Sequence, residues 1–380
     1  MAAGGLLILL AVLFVVGSLL KLAEFRGAGN PSNGLEAFHT EWGAWSLANA
    51  DVVDSSGATQ QWLGIPMIVA ALAGAVGAVL LLTGLATRRR GALGVAVAAA
   101  AMTLGVAAAT VADVVSALIT SDSTVTTSLG AGFWIFAVSL PIAVVALVAV
   151  AIGGAATRPN APVDSAGRPL GAKAGGLDIV VGILLIPLAG LTVAATFFEQ
   201  SSGVSLWSAW NHETQISGAV LVAGAAGALI AAVLSFVGRG RLMASACAAI
   251  LFASGLLLSV DTVDLELSGP VQLSDFKLGA WLLFASTAIA LLVTVLAVLA
   301  TATKPGFRTP YAPFPQQYPG WAPPQGNLPG QPQPAPAIPT PPPTWVQPPQ
   351  VPQAWPQHPA PPQPVWPQPE QGWEQPPQAR

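Results

Sequence analysis

The chain has 380 residues, of which 53% are hydrophobic and only 8% are charged, and its formal net charge is -3. Soluble domains carry about 25% charged residues, so this composition excludes an ordinary water-covered globule and requires lipid over much of the surface. The single cysteine, Cys247, excludes an intramolecular disulfide and a thiolate metal cluster.

Eight apolar stretches are each near the length of about 20 residues that crosses the hydrocarbon core of a bilayer. They lack period-two alternation, which favours helices over a transmembrane barrel. The first stretch lacks the positively charged start of a secretory signal peptide, so we interpret it as a retained helix. The predicted spans are residues 3–20, 63–85, 92–113, 133–153, 178–198, 216–237, 242–260 and 279–301.

Basic residues are concentrated on one side of these predicted spans. Eleven of the 14 Lys and Arg residues lie in the second, fourth and sixth connections and in the C-terminal tail. The odd-numbered connections contain only Lys21, Arg26 and Lys277. By the positive-inside rule, we expect a plasma-membrane protein with both termini in the cytoplasm.

The sequence also contains an internal repeat. "AGAVGA" at 73–78 resembles "AGAAGA" at 223–228, at an offset of 150 residues. Trp45 matches Trp207 in the first outer loop of each half. Each half has an even number of predicted crossings, so both halves enter and leave on the same side, which makes the repeats parallel and not inverted.

The predicted fold class is therefore an all-α membrane protein with eight transmembrane helices in two parallel four-helix repeats. The first repeat covers residues 1–155 and the second covers 177–303. A cytoplasmic linker, residues 156–176, joins them, and residues 304–380 form the tail.

Small residues recur on one face of the second helix in each predicted repeat. In lipid, helices associate through close backbone approach and van der Waals contact, which small residues allow. Packing inside each four-helix unit is the simpler interpretation, and a seam between halves or between protomers is the alternative. The predicted helix-packing residues are Gly74, Gly77, Gly224 and Gly227.

Carboxylates inside a membrane are the usual indicators of a transport path. Asp113 lies about 31 Å along its helix at 1.5 Å per residue, which is the full depth of the hydrocarbon core. Asp261 occupies the matching end of the seventh span. We therefore predict that both are helix-end carboxylates at the outer interface, which disfavours a proton- or sodium-coupled transporter.

Two outer loops contain histidine, glutamate and tryptophan, as "FHTEW" and "WNHET". Each loop offers only two metal ligands where zinc needs three or four, so we expect no metal. Solvated loop polarity and interfacial tryptophan anchors are the simpler interpretation. The alternative is an outer-face site for a cationic or lipid ligand, formed by His39, Glu41, Trp45, Trp207, His212 and Glu213. Motifs of zinc proteases, serine hydrolases and phosphate loops are absent, so we predict no enzyme, no catalytic residue and no cofactor.

The tail contains 27 of the 35 prolines. Such a composition cannot bury enough apolar surface to fold, so we predict disorder with polyproline II character. Recurring tryptophans give it short motifs suited to a cytoplasmic proline-recognising protein, and a spacer without a partner is the alternative. Nucleic acid is excluded as a partner because the tail has only three basic residues. The predicted docking residues are Trp345, Trp355, Trp366 and Trp373.

Over its full length the chain resembles uncharacterised multi-pass membrane proteins of actinobacteria, in its Ala/Val/Gly-rich helices and in the tail segment "PPPTWVQPPQVPQAWPQHP". This resemblance concerns composition and layout and implies no functionally defined family. The outer-loop tryptophans also resemble those of claudin-like four-helix proteins. Because the chain lacks the loop cysteine pair of that family, no property is carried over.

These patterns favour a non-enzymatic membrane anchor or scaffold that recruits a partner through its tail. The lack of a mid-bilayer charge and the proline-rich tail support this expectation. The alternative is a transporter or channel for a small or lipidic solute, with its path between the two repeats.

Overall fold

The computed structural model describes residues 2–27, 37–49, 59–119, 125–156, 172–200, 205–207, 216–267, 276–303 and 306–307. Seven helices in these ranges are long and apolar enough to cross a membrane, and an eighth apolar helix has 17 residues. The prediction of a mostly helical, multi-pass membrane protein is confirmed. The tail from residue 308 onward lies outside the described residues.

The helices follow the predicted apolar stretches closely, with one extra turn, α3, after the second of them. In chain order they are α1 Ala2–Ser18, α2 Gly64–Leu82, α3 Leu85–Arg88, α4 Arg90–Ile119, α5 Ala131–Ala156, α6 Gly176–Phe197, α7 Ser217–Phe236, α8 Arg241–Leu267 and α9 Leu278–Ala302.

The helices pack as two rings of four. In the first ring, α1 packs against α2 and α5, and α4 packs against the same two helices. In the second ring, α6 packs against α7 and α9, and α8 packs against the same two helices. The rings join chiefly where α4 lies against α8, and α9 also contacts α4.

Alanine and glycine recur at the helix contacts, whereas the outward-facing positions carry many large aliphatic side chains. Ala78 and Ala228 are fully buried, whereas Leu72 and Val233 are more than 60% exposed. In lipid, large apolar side chains need no protein cover, and small residues bring backbones together for van der Waals contact. The inward placement of alanine and glycine therefore matches helices packed inside a bilayer.

The seam between the rings is packed with small residues. Ala101 of α4 and Ala249 of α8 are fully buried in one cluster there. A methyl group added to Gly105 would lie 2.8 Å from the carbonyl oxygen of Ile250 and 3.1 Å from Cβ of Ala253. A backbone atom cannot yield to such a contact, so α4 and α8 approach each other closely along this seam.

One end of the bundle contains a buried ion pair that joins three helix ends. Asp178, in the first turn of α6, accepts hydrogen bonds from Arg241 Nη2 and from the Gly175 N–H, both at 2.7 Å. Arg241 begins α8, and its Nη1 donates to the carbonyl oxygen of Thr303, the residue after α9, at 2.8 Å. The carboxylate in the first turn also suits the positive end of the α6 helix dipole.

The same end of the bundle contains the start of α1 and the end of α9. Ala3 packs against a cluster that includes Val97 near the start of α4 and Leu242 at the start of α8. A methyl group at Gly91 would lie 3.0 Å from Cβ of Ala302, the last residue of α9. We call this the basic end, because Arg89 and Arg241 lie here.

The opposite end of the first ring is covered by a five-stranded antiparallel sheet, which the all-α prediction missed. The strands are β1 Lys21–Gly27, β2 Phe38–Gly43, β3 Ser46–Asn49, β4 Thr59–Gln60 and β5 Val125–Leu129. Four of them come from the α1–α2 connection and one from the α4–α5 connection, and their order in the sheet is β4-β3-β2-β1-β5. A separate pair, β6 Ala172–Lys173 and β7 Gly306–Phe307, is also antiparallel.

The sheet has one apolar and one polar face, because successive side chains in a strand point to opposite sides. Phe25 and Trp42 lie on the apolar face with ring centroids 6.4 Å apart, and Trp42 is 8% exposed within the main core. The indole N–H of Trp42 donates to Gln61 Oε1 at 2.8 Å. The alternate positions of β1 and β2 therefore form the polar face.

Candidate functional site

Three metal-ligating side chains meet on the polar face of the sheet. Glu24 of β1 is directly opposite Glu41 of β2, and the neighbouring pair on the same face is Arg26 opposite His39. His39 Nε2 lies 2.5 Å from Glu24 Oε1. One ligand atom from each of Glu24, His39 and Glu41 lies within 4.8 Å of the other two. We call these three residues the EHE cluster.

Two basic side chains at the edge of the EHE cluster contact its carboxylates. Arg26 Nε donates to Glu24 Oε1 at 2.8 Å, and Lys21 forms an ion pair with Glu41. The pKa of Glu24 is lowered, chiefly by the hydrogen bond from Arg26. Partial desolvation acts to raise this pKa, and the hydrogen bond with His39 lowers it further. Glu24 is therefore ionised at neutral pH.

The two loop tryptophans that matched in the sequence make the same contact in the two rings. The Trp45 ring covers Gly64 at the start of α2, and the Trp207 ring covers Gly218 at the start of α7. Each glycine N–H donates to the carbonyl of the residue preceding the tryptophan, at 2.8 Å in the first ring and 3.1 Å in the second. We call these the Trp–Gly contacts.

The predicted outer-face ligand site is only partly described. The structure brings His39 and Glu41 together with Glu24, and it places Trp45 and Trp207 on the first turns of α2 and α7. His212 and Glu213 lie outside the described residues. The tail residues Trp345, Trp355, Trp366 and Trp373 also lie outside them.

Asp113 of α4 and Asp261 of α8 lie on the two helices that form the seam, close enough for their charges to interact. The apolar stretches placed both carboxylates at helix ends. The helices instead continue beyond them, α4 to Ile119 and α8 to Leu267. Asp113 accepts a hydrogen bond from the Ser217 hydroxyl. In these extra turns the Ser116 hydroxyl of α4 lies 3.1 Å from the Ser217 hydroxyl of α7, and Thr262 of α8 is buried, so packing between helices accompanies the extension.

A third carboxylate, Asp264, stands one turn beyond Asp261. Its Oδ2 accepts the backbone N–H of Trp62 at 2.8 Å, which ties α8 to the segment before α2 in the other ring. Its Oδ1 has no hydrogen-bond partner within the described ranges, although the residue is only 8% exposed. The seam thus contains three acidic side chains at the end opposite the basic end.

The four predicted packing glycines contact helices of their own ring. Methyl groups at Gly74 and Gly77 would meet Thr103 and Ala99 of α4, and both would also meet Leu7 of α1. Methyl groups at Gly224 and Gly227 would meet Leu251 and Cys247 of α8. Gly105, by contrast, stands in the seam between the rings, against Ile250 and Ala253 of α8.

Sequence reasoning did not find Glu24 or Asp264. Glu24 lies in "KLAEFRG", whose strand character was hidden because it directly follows an apolar helix. The alternation of apolar and polar residues in "AEFR" at 23–26 is the signal that indicates a strand. Asp264 is separated from Trp62 by 202 residues, so no local pattern predicts their contact.

Comparison with protein-family models, with curated proteins and with solved structures finds no match for this chain. Functional proposals therefore rest on the residues of the chain itself.

Proposed function

We propose that the protein is a non-enzymatic plasma-membrane anchor or scaffold that crosses the bilayer eight times, as two parallel four-helix repeats. The two rings support the duplication, because each has the same order of helix neighbours. The Trp–Gly contacts support it independently, because they repeat both a ring contact and a backbone hydrogen bond.

The eighth span in this proposal is α1. At 1.5 Å per residue its 17 residues extend for about 26 Å, near the hydrocarbon thickness of about 30 Å. Leu7, Leu10 and Phe14 are fully buried, and Phe14 meets Phe136 of α5 edge-to-face at 5.2 Å between ring centroids. This helix completes the first ring as α6 completes the second.

Both termini face the cytoplasm in this proposal. The start of α1 and the end of α9 share the basic end, which supports an even number of crossings. The positive-inside rule then directs that end to the cytoplasm and directs the sheet outward.

The packed seam is the observation that carries the scaffold role. A transport path between the repeats needs space, and Gly105 leaves no room even for a methyl group between α4 and α8. A tail in which tryptophans recur among many prolines suits a cytoplasmic proline-recognising protein. The helices would then hold this tail at the membrane.

The test is to compare the proteins that co-purify with the full chain and with two variants. One variant lacks residues 305–380, and the other replaces Trp345, Trp355, Trp366 and Trp373 with alanine. The scaffold role predicts that both variants lose the same partner while membrane insertion is unchanged. An unchanged set of partners contradicts the scaffold role.

A transporter or channel is the second candidate, and the seam carboxylates favour it. Asp113 of α4 and Asp261 of α8 lie close enough for their charges to interact, and a cationic solute could bind to them on entering a path between the rings. Flux of small cations into proteoliposomes containing the protein tests this candidate. A flux that D113N and D261N abolish supports it, and the absence of flux above empty liposomes contradicts it.

A further inference from the structure

We propose that the EHE cluster binds one divalent transition-metal ion, with zinc the best match to its ligands. The three ligand atoms within 4.8 Å of one another are an imidazole nitrogen and two carboxylate oxygens. Zinc accepts this mixed set, and three protein ligands leave a fourth position for water. The imidazole disfavours calcium and magnesium, which prefer oxygen ligands only.

The sheet fixes the positions from which the ligands extend. Glu24 and Glu41 form a directly opposed cross-strand pair, whose Cβ atoms lie about 4.5–5.5 Å apart in antiparallel sheets. β1 is an inner strand, paired with β2 on one side and β5 on the other, so its register is held from both sides. The ligands therefore stand on a regular scaffold and not on a loose loop.

The three proposed ligands are more buried than the two basic side chains that contact them. The side chains of Glu24, His39 and Glu41 are 20%, 21% and 29% exposed, whereas those of Lys21 and Arg26 are 52% and 64% exposed. Exposed ion pairs are weak, so both basic side chains can move into water when a metal ion takes their place. Their positive charge nevertheless competes with the metal.

This competition gives the proposal a test in two directions. Removing a ligand in E24Q, H39Q or E41Q is expected to weaken zinc binding by at least about tenfold, since even the loss of a second-shell partner costs about 10–100-fold. Removing a competing cation in R26Q or K21Q is expected to strengthen binding. A role limited to surface ion pairing predicts no such opposite effects.

The experiment uses the full-length protein in detergent micelles, purified without a histidine tag. Zinc is titrated against a chromophoric chelator, and cobalt absorption reports the ligand environment. H212Q is the matched control for H39Q, because it removes a histidine that is not part of the EHE cluster, and E199Q is the control for the glutamate variants. The expected result is one zinc per chain, weakened only by the three ligand variants.

Three results would overturn the proposal: no saturable zinc binding, binding that H39Q leaves unchanged, or equal weakening by H212Q. If E24Q fails to fold, R26Q decides the question, because this exposed side chain can be changed without altering the ligands. Unchanged or weaker zinc binding by folded R26Q then counts against the site.

Discussion

Arg241 joins three helix ends, and its replacement by methionine is expected to be strongly destabilising. Its guanidinium contacts Asp178 and the carbonyl of Thr303. The Asp178 side chain is 1% exposed, so R241M leaves this carboxylate without its cation and without water. Removing one partner of a buried ion pair costs about 3–5 kcal/mol.

The reciprocal variant D178N is expected to cost less, about 1–3 kcal/mol. Arg241 is 14% exposed, keeps its bond to Thr303, and has a long stem that can carry its charge to the interface. Asp178 Oδ1 and Arg241 Nε lack hydrogen-bond partners among the described residues, so the pair is incompletely satisfied. The double variant D178N/R241M is therefore expected to be more stable than R241M alone.

The rate at which a maleimide labels the single cysteine, Cys247, measures this loss of stability. Cys247 is buried on α8 beneath Gly227 of α7, so a maleimide reaches it only when the helices separate. A loss of about 3 kcal/mol raises the labelling rate more than about hundredfold if labelling follows the opened population. R239M is the control, because Arg239 is exposed. A wild-type labelling rate for R241M, or a double variant no better than R241M, would refute the reasoning.

Three glycine substitutions test the close contacts. G105A is expected to force α4 from α8 at a cost of about 1–3 kcal/mol, seen as a lower midpoint of thermal unfolding, whereas G190A, which points a methyl into open space, is expected to leave the midpoint unchanged. G64A and G218A are expected to displace the Trp45 and Trp207 rings and to lower the same midpoint, with the larger effect for G64A because its methyl would lie 2.1 Å from the ring against 2.8 Å for G218A. Equal midpoints for G105A and G190A would contradict the packed seam, and an unchanged midpoint for G64A would contradict the Trp–Gly contact.

The membrane helices could be predicted from the sequence because each is specified locally. A run of about 20 apolar residues must satisfy its own backbone hydrogen bonds in lipid, and the α-helix does so within the segment. The predicted span 216–237 differs from α7 by one residue at each end. By contrast, α4 and α8 continue past their predicted apolar stretches, and residues in the added turns, such as Val114, Ser116 and Thr262, are buried against neighbouring helices.

The sheet and its EHE cluster could not be predicted in the same way, because strand pairing joins distant segments. β1 pairs with β5, and Glu24 lies opposite Ser128. The sequence did single out His39 and Glu41, but two ligands are too few for a metal, and the third comes from a neighbouring strand. Only the register of β1 against β2 shows that Glu24 completes the set.

Membrane topology tests the central claim most directly. In a chain with Cys247 replaced by alanine, single cysteines are introduced at Ala2, at Ser46 in β3 and at Ala312 in the tail. Eight crossings with the basic end in the cytoplasm predict that a membrane-impermeant maleimide labels position 46 in intact cells and labels positions 2 and 312 only after permeabilisation. Labelling of positions 2 and 312 from opposite sides of the membrane would contradict the eight-span account.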